Sequence, residues 1–211
     1  MSYHKFSRRY LAEMPQQLNG GNPYDAISSI IQELLSANIT AESLSNNTFR
    51  IASGSSVYYW IGSADGTQIQ LCSNVDEDGN FAKITSTGKN PNLLKTEPYA
   101  IDLYLQIANS LPHGVKFSSD AILSDDGFNV WKRIFNSGHE LVIYNNRSEK
   151  FNAERIKSAA ELENYFKNHP EARQYQYVIA ESAIAIGIKG DFSIMEWKRL
   201  AKYPLAQLFN E

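Results

Sequence analysis

The stretch from Glu97 to Tyr144, EPYAIDLYLQIANSLPHGVKFSSDAILSDDGFNVWKRIFNSGHELVIY, constrains the fold more than any other part of this chain. It reads as helix, short strand, helix, strand, with a local signal at each joint. Apolar residues Ala100, Leu103, Tyr104, Ile107, Ala108 and Leu111 recur at spacings of three and four, one face of a helix predicted over Tyr99–Leu111. Pro98 suits a first turn, where a missing N–H costs nothing, and Glu97 places negative charge at the positive end of the helix dipole. Pro112 and Gly114 end the element. Val115 and Phe117 predict a short strand with a polar exit. Ser124 is an N-cap for a second helix carrying Phe128, Val130, Trp131, Ile134 and Phe135. Gly138 supplies its left-handed cap, and Leu141–Tyr144 is an apolar run suited to a buried strand.

The flanking sequence completes the order of elements. Ile27, Ile30, Ile31, Leu34 and Leu35 share a stripe, predicting an amphipathic helix over Pro23–Ala37. Thr48–Ala52 and Val57–Gly62 read as strands, followed by an Asp65-Gly66 turn, an alternating strand at Thr67–Ser73, and Phe81–Thr85 beyond the acidic hairpin tip Asp76–Asn80. That acidic tip lacks the spaced ligands and distant glutamate of a calcium loop. Ser158-Ala-Ala-Glu161 is a capping box opening a helix through Phe166, Tyr175–Ala185 reads as a strand, and Ser193–Glu196 opens a last helix. A short helix is also predicted around Arg8–Met14.

Composition narrows the class. With 211 residues, 43% hydrophobic and 20% charged, the chain can bury a substantial core. A net charge of −3 argues against a nucleic-acid or membrane-surface binder, which carries a basic face. The single cysteine, Cys72, excludes an internal disulfide and a cysteine-based metal site, and reads as a small structural residue. No apolar run approaches the roughly 18 residues of a membrane span. The N-terminus has no apolar segment of a secretory signal, so the N-x-S/T triplets at Asn38, Asn46 and Asn146 read as chance matches and the expected compartment is cytoplasmic. His4, His113, His139 and His169 show no metal-ligand spacing, and no metal site is expected.

The fold class expected is α+β, a mixed, mostly antiparallel sheet flanked by helices. It divides into a polar segment 1–22, a core 23–145 and a C-terminal α/β extension 146–211. The element order, together with Ser118-Ser119-Asp120, Leu123-Ser124-Asp125-Asp126-Gly127 and Val130-Trp131, resembles the GCN5-related N-acetyltransferases. It is similar to divergent acetyltransferase-like domains of phage and mobile-element proteins, with Tyr175–Ala185 as a closing strand. In that family the strand matched by Phe81–Thr85 leads into a Q/R-x-x-G-x-G/A loop and a helix whose N–H groups hold the pyrophosphate of acetyl-CoA. The resemblance places Lys95 at the first position, Pro98 at the central glycine and Ala100 at the last, so Lys95 and the N–H groups of Tyr99 and Ala100 would contact the pyrophosphate. Pro98 removes a donor there. Asp120 or Glu97 would be the base if the protein transfers an acetyl group to an amine. In active members a tyrosine on the second helix can protonate the leaving thiolate. Trp131 stands in its place, and an indole N–H cannot act as that acid.

Two expectations follow. One is a non-catalytic acetyltransferase-like protein, needing no cofactor, that binds a protein partner, in the host cytoplasm or in the virion if it is phage-encoded. The alternative is an N-acyltransferase using acetyl-CoA. Asp120 with Ser118, Ser119 and Ser124 is either a polar site at a strand end or a helix-capping turn. Tyr58, Tyr59 and Trp60 either border a substrate cleft or pack in the core. Replacing Pro98 by Gly restores cofactor affinity if the phosphate loop alone has decayed.

Overall fold

The computed structural model describes residues 22–78, 80–120, 123–145, 153–168 and 175–180. The helices expected around Arg8–Met14 and after Ser193 lie outside these residues, as do 181–185 of the expected last strand. The fold is α+β. Among the described residues, nine strands form one mostly antiparallel sheet in the order β1-β2-β3-β4-β5-β6-β9-β7-β8. They are β1 (Glu42–Ser45), β2 (Thr48–Ser53), β3 (Ser56–Gly62), β4 (Ile69–Asp78), β5 (Phe81–Lys89), β6 (Lys116–Ser118), β7 (Leu141–Asn145), β8 (Ala153–Arg155) and β9 (Tyr175–Ile179). Among the described residues there are four α-helices: α1 (Tyr24–Ser36), α2 (Ala100–Ser110), α3 (Asp125–Asn136) and α4 (Ala159–Glu163). Contacts divide the chain into two units. The first runs to Asp76 and takes up Ile84–Gln106; the second holds Glu77–Lys83 and the chain from Ile107 onward.

In the first unit, β1 to β4 pair antiparallel, with Phe49 opposite Trp60 and Trp60 opposite Cys72. Residues directly opposite share a face, so these three side chains line one side of the sheet. Ile27 and Ile31 of α1 pack on that side with Ile51 and Ile69. Helix α1 ends in a Schellman motif: Asn38 takes φ 62°, and the Ile39 and Asn38 N–H groups return to the carbonyls of Leu34 (3.1 Å) and Leu35 (3.0 Å). Its first turn sits so close to β5 that a Cβ on Gly88 would stand 2.2 Å from the Tyr24 nitrogen. On the other face, α2 reaches the sheet through its side chains. Tyr104 meets Thr87 of β5, and Gln106 Oε1 accepts from Ser45 Oγ of β1 at 3.0 Å.

In the second unit, the start of β5 pairs parallel with β6, Phe81 opposite Lys116 and Lys83 opposite Ser118. Strand β9 enters antiparallel between β6 and β7, with Val178 facing Ser118 on one side and Val142 on the other. Helix α3 begins where Ser124 Oγ accepts the Gly127 N–H at 3.1 Å and ends at Gly138 (φ 89°), with the His139 and Gly138 N–H groups returning to Ile134 and Phe135. It buries Phe128, Trp131 and Ile134. At α4, Ser158 Oγ accepts from Glu161 N as the capping box requires, whereas the Glu161 carboxylate accepts from the Lys157 N–H rather than from Ser158.

Three differences from the sequence expectation have physical causes. Strands β1 and β8 are three to four residues of polar sequence at the two sheet edges, too short and too polar to show a period. Strand β4 runs on through the acidic residues to Asp78, where Glu77 is exposed and so tolerates charge. Helix α2 starts at Ala100, so Pro98 and Tyr99 precede it instead of forming its first turn.

Candidate functional site

The β5–α2 connection, from Lys89 to Asp102, is the stretch that the resemblance assigns to a phosphate, and it lies wholly in the first unit. The end of β5 is held from outside the connection. Asn22 brackets Lys89, its Oδ1 accepting the Lys89 N–H at 3.1 Å and its Nδ2 donating to the Lys89 carbonyl. Asn90 takes over the turn. Its N–H donates to the Gln70 carbonyl (2.9 Å) and its Oδ1 accepts from Asn92 N (3.0 Å), capping the 3-10 turn Pro91–Leu93. Thr96 closes back onto Leu93 through its N–H (3.1 Å) and its hydroxyl (3.1 Å).

The Lys89 ammonium folds over this connection. It donates to the Thr96 carbonyl and stands 4.8 Å from the centroid of the Tyr99 ring. Burial pushes its pKa down, and the charge of Asp102 opposes that shift. Asp102, in the first turn of α2, accepts the Tyr99 N–H on Oδ2 at 2.7 Å, while its own N–H donates to the Tyr99 carbonyl at 2.9 Å. The anion at this helix start is therefore Asp102, and not Glu97 as expected; Glu97 and Lys95 are exposed. Of the three groups assigned to a pyrophosphate, the Tyr99 N–H is engaged by a carboxylate of the chain, Lys95 is an exposed cation, and Ala100 is the first residue of α2; Pro98 has no N–H to add. As folded, the Tyr99 N–H is not offered to that group.

Beneath it, a line of hydroxyls fixes α2 to the sheet. Ser73 Oγ, Thr87 Oγ1 and Tyr104 OH follow at 2.8 and 3.0 Å. Tyr104 is buried, which drives its pKa up to about 12 against the lowering effect of the Thr87 hydrogen bond.

Asp120, the other candidate base, lies in the second unit at the end of β6, half-buried. Ser119 does not present its hydroxyl to a ligand: Oγ accepts the Tyr177 N–H at 2.9 Å and donates to the Asp120 carbonyl at 2.8 Å, joining β6 to β9. Ser124 is the α3 cap. Ser118 is fully buried, and its hydroxyl has no hydrogen-bond partner among the described residues. Trp131 is fully buried, with the Phe117 and Tyr177 rings each 6.0 Å away and inclined at 26°.

No known family, curated protein or solved structure matches this chain.

The remaining candidates resolve as packing and turns. Tyr59 and Trp60 are fully buried, Trp60 Nε1 donating to the Ser63 carbonyl at 2.9 Å, while Tyr58 is half-buried against the α1 core. Burial pushes the Cys72 thiol up to about 12, leaving it protonated at neutral pH. His113 is exposed after α2, and His139 is half-buried at the end of α3. Among the described residues no three His, Cys, Asp or Glu side chains gather as a metal needs, and no helix is long and apolar enough to cross a membrane. Sequence reading missed Asp102 because its role depends on where the helix begins. Its one visible signal was an acidic residue three positions after Tyr99.

Proposed function

We propose that this chain is a divergent acetyltransferase-like protein, of the kind carried by phage and mobile elements, that works in the cytoplasm by binding a protein partner and catalyses no transfer. The observation that carries this reading is Trp131. The helix position that holds a proton donor in active members is here a core residue, fully buried against Phe117 and Tyr177. A side chain in that setting stabilises a fold and does not meet a leaving group.

The scaffold part of the reading is supported by topology. A strand, a helix and a second strand parallel to the first follow one another as β5, α2 and β6, and β9 joins the sheet late in the chain as a closing strand. Neither nucleic acid nor membrane belongs to this function, in keeping with the net charge of −3. Acetyl-CoA titrated into the full chain by calorimetry, with desulfo-CoA in parallel and a panel of amine acceptors for transfer, tests it. Neither heat at millimolar ligand nor acetylated amine is expected. Micromolar binding with turnover would replace this reading by an N-acyltransferase in which Asp120 or Glu97 serves as the base.

A further inference from the structure

We infer that the Asp102 carboxylate is a built-in substitute for the phosphate that the β5–α2 connection would otherwise receive, so that the chain closes this position with its own anion. The inference rests on the acetyltransferase-like reading of this connection. A carboxylate accepting a backbone N–H at 2.7 Å in the first turn of an 11-residue helix occupies the place where the helix dipole favours negative charge. The nearby cation is committed as well. Lys89 is bound to the Thr96 carbonyl, lies over the Tyr99 ring and is under the influence of Asp102. A diphosphate arriving here would have to displace a carboxylate tied into the chain and then remain beside it, like charge against like.

The consequence is specific. Replacing Pro98 by Gly restores a donor but leaves Asp102 in place, so that change alone does not open the connection. The test follows the Tyr99 amide by NMR while inorganic pyrophosphate and, separately, CoA are titrated into the full chain as wild type, Pro98→Gly, Asp102→Asn, Asp102→Ala and the Pro98→Gly/Asp102→Ala double variant. Asp102→Asn keeps a cap without the charge, so it reports even if the alanine variants fold poorly. No saturable shift is expected in wild type or Pro98→Gly, and at least tenfold tighter binding in the Asp102 variants, greatest in the double. Equal binding by wild type and Asp102→Asn, or full recovery in Pro98→Gly alone, overturns the inference. Acetyl transfer by wild type with an unshifted Tyr99 amide would instead overturn the non-catalytic reading while supporting this one.

Discussion

Thr87 Oγ1 stands 3.0 Å from Tyr104 OH and 2.8 Å from Ser73 Oγ, so one threonine joins a helix to two strands of the sheet. Thr87→Val breaks both contacts, at a cost of about 2 kcal/mol, whereas Tyr104→Phe removes one contact and costs about 1 kcal/mol. Urea denaturation of both variants and of the double variant checks this. The double should lose less than the sum, because the two changes share a bond; strict additivity would mean that the hydroxyl line contributes nothing as a unit.

The same tyrosine gives the fold an alkaline limit. Its folded pKa of about 12 lies above the value of about 10 for an exposed tyrosine. The folded state thus favours the protonated phenol. Its contribution is complete below about pH 10 and is lost as pH rises toward 12. Thermal melts of wild type and Tyr104→Phe across this range should converge at the alkaline end, and parallel curves would contradict the assignment.

Trp131 makes a prediction that separates a core residue from a cleft residue. Removing a fully buried indole stacked against two rings costs about 3–5 kcal/mol, so Trp131→Ala should unfold at much lower denaturant than wild type. A loss below about 1 kcal/mol, the range of exposed positions, would return Trp131 to the list of ligand-facing residues.

Asp65 organises the turn between β3 and β4. Its Oδ1 accepts from Ser63 Oγ (2.6 Å), Thr67 N (3.0 Å) and Thr67 Oγ1 (2.8 Å), and these bonds, Ser63 first, hold its pKa down at about 2. A lowered carboxylate pKa stabilises the fold above about pH 4 and ceases to do so as pH falls toward 2. Wild type should melt above Asp65→Asn at pH 5, with the gap closing on acidification. A gap that persists at pH 2 would show that charge is not the cause.

Gly88 and Gly138 should respond differently to alanine. At Gly88 the added carbon meets the backbone of Tyr24, so α1 must move off β5 and the cost is about 3 kcal/mol or more. At Gly138 there is open space, and the left-handed φ of 89° alone costs about 1 kcal/mol. Denaturation midpoints rank the two; the reverse order would refute the close approach.

Local sequence determined what local chemistry can decide. The Ser124 cap and the Gly138 stop are properties of neighbouring residues, and each appears as expected. The α1 stripe holds at Ile27 and Ile31 but leaves Ile30 exposed, and the alternation expected for β4 gives way to burial of Leu71, Cys72 and Ser73 in succession, because both faces of that strand are covered. The tertiary structure decided the rest. That β9 slips between β6 and β7, and that Glu42–Ser45 and Ala153–Arg155 become edge strands, depends on partners distant in the chain that a short polar segment does not announce. The candidate site belongs to this second kind. Lys95, Pro98 and Ala100 could be counted along the chain, but the start of α2 places Asp102 on the Tyr99 N–H, and the end of β5 brings Lys89 to Thr96 and the Tyr99 ring. Spacing selects residues able to bind an anion, while packing determines whether the chain has already satisfied them.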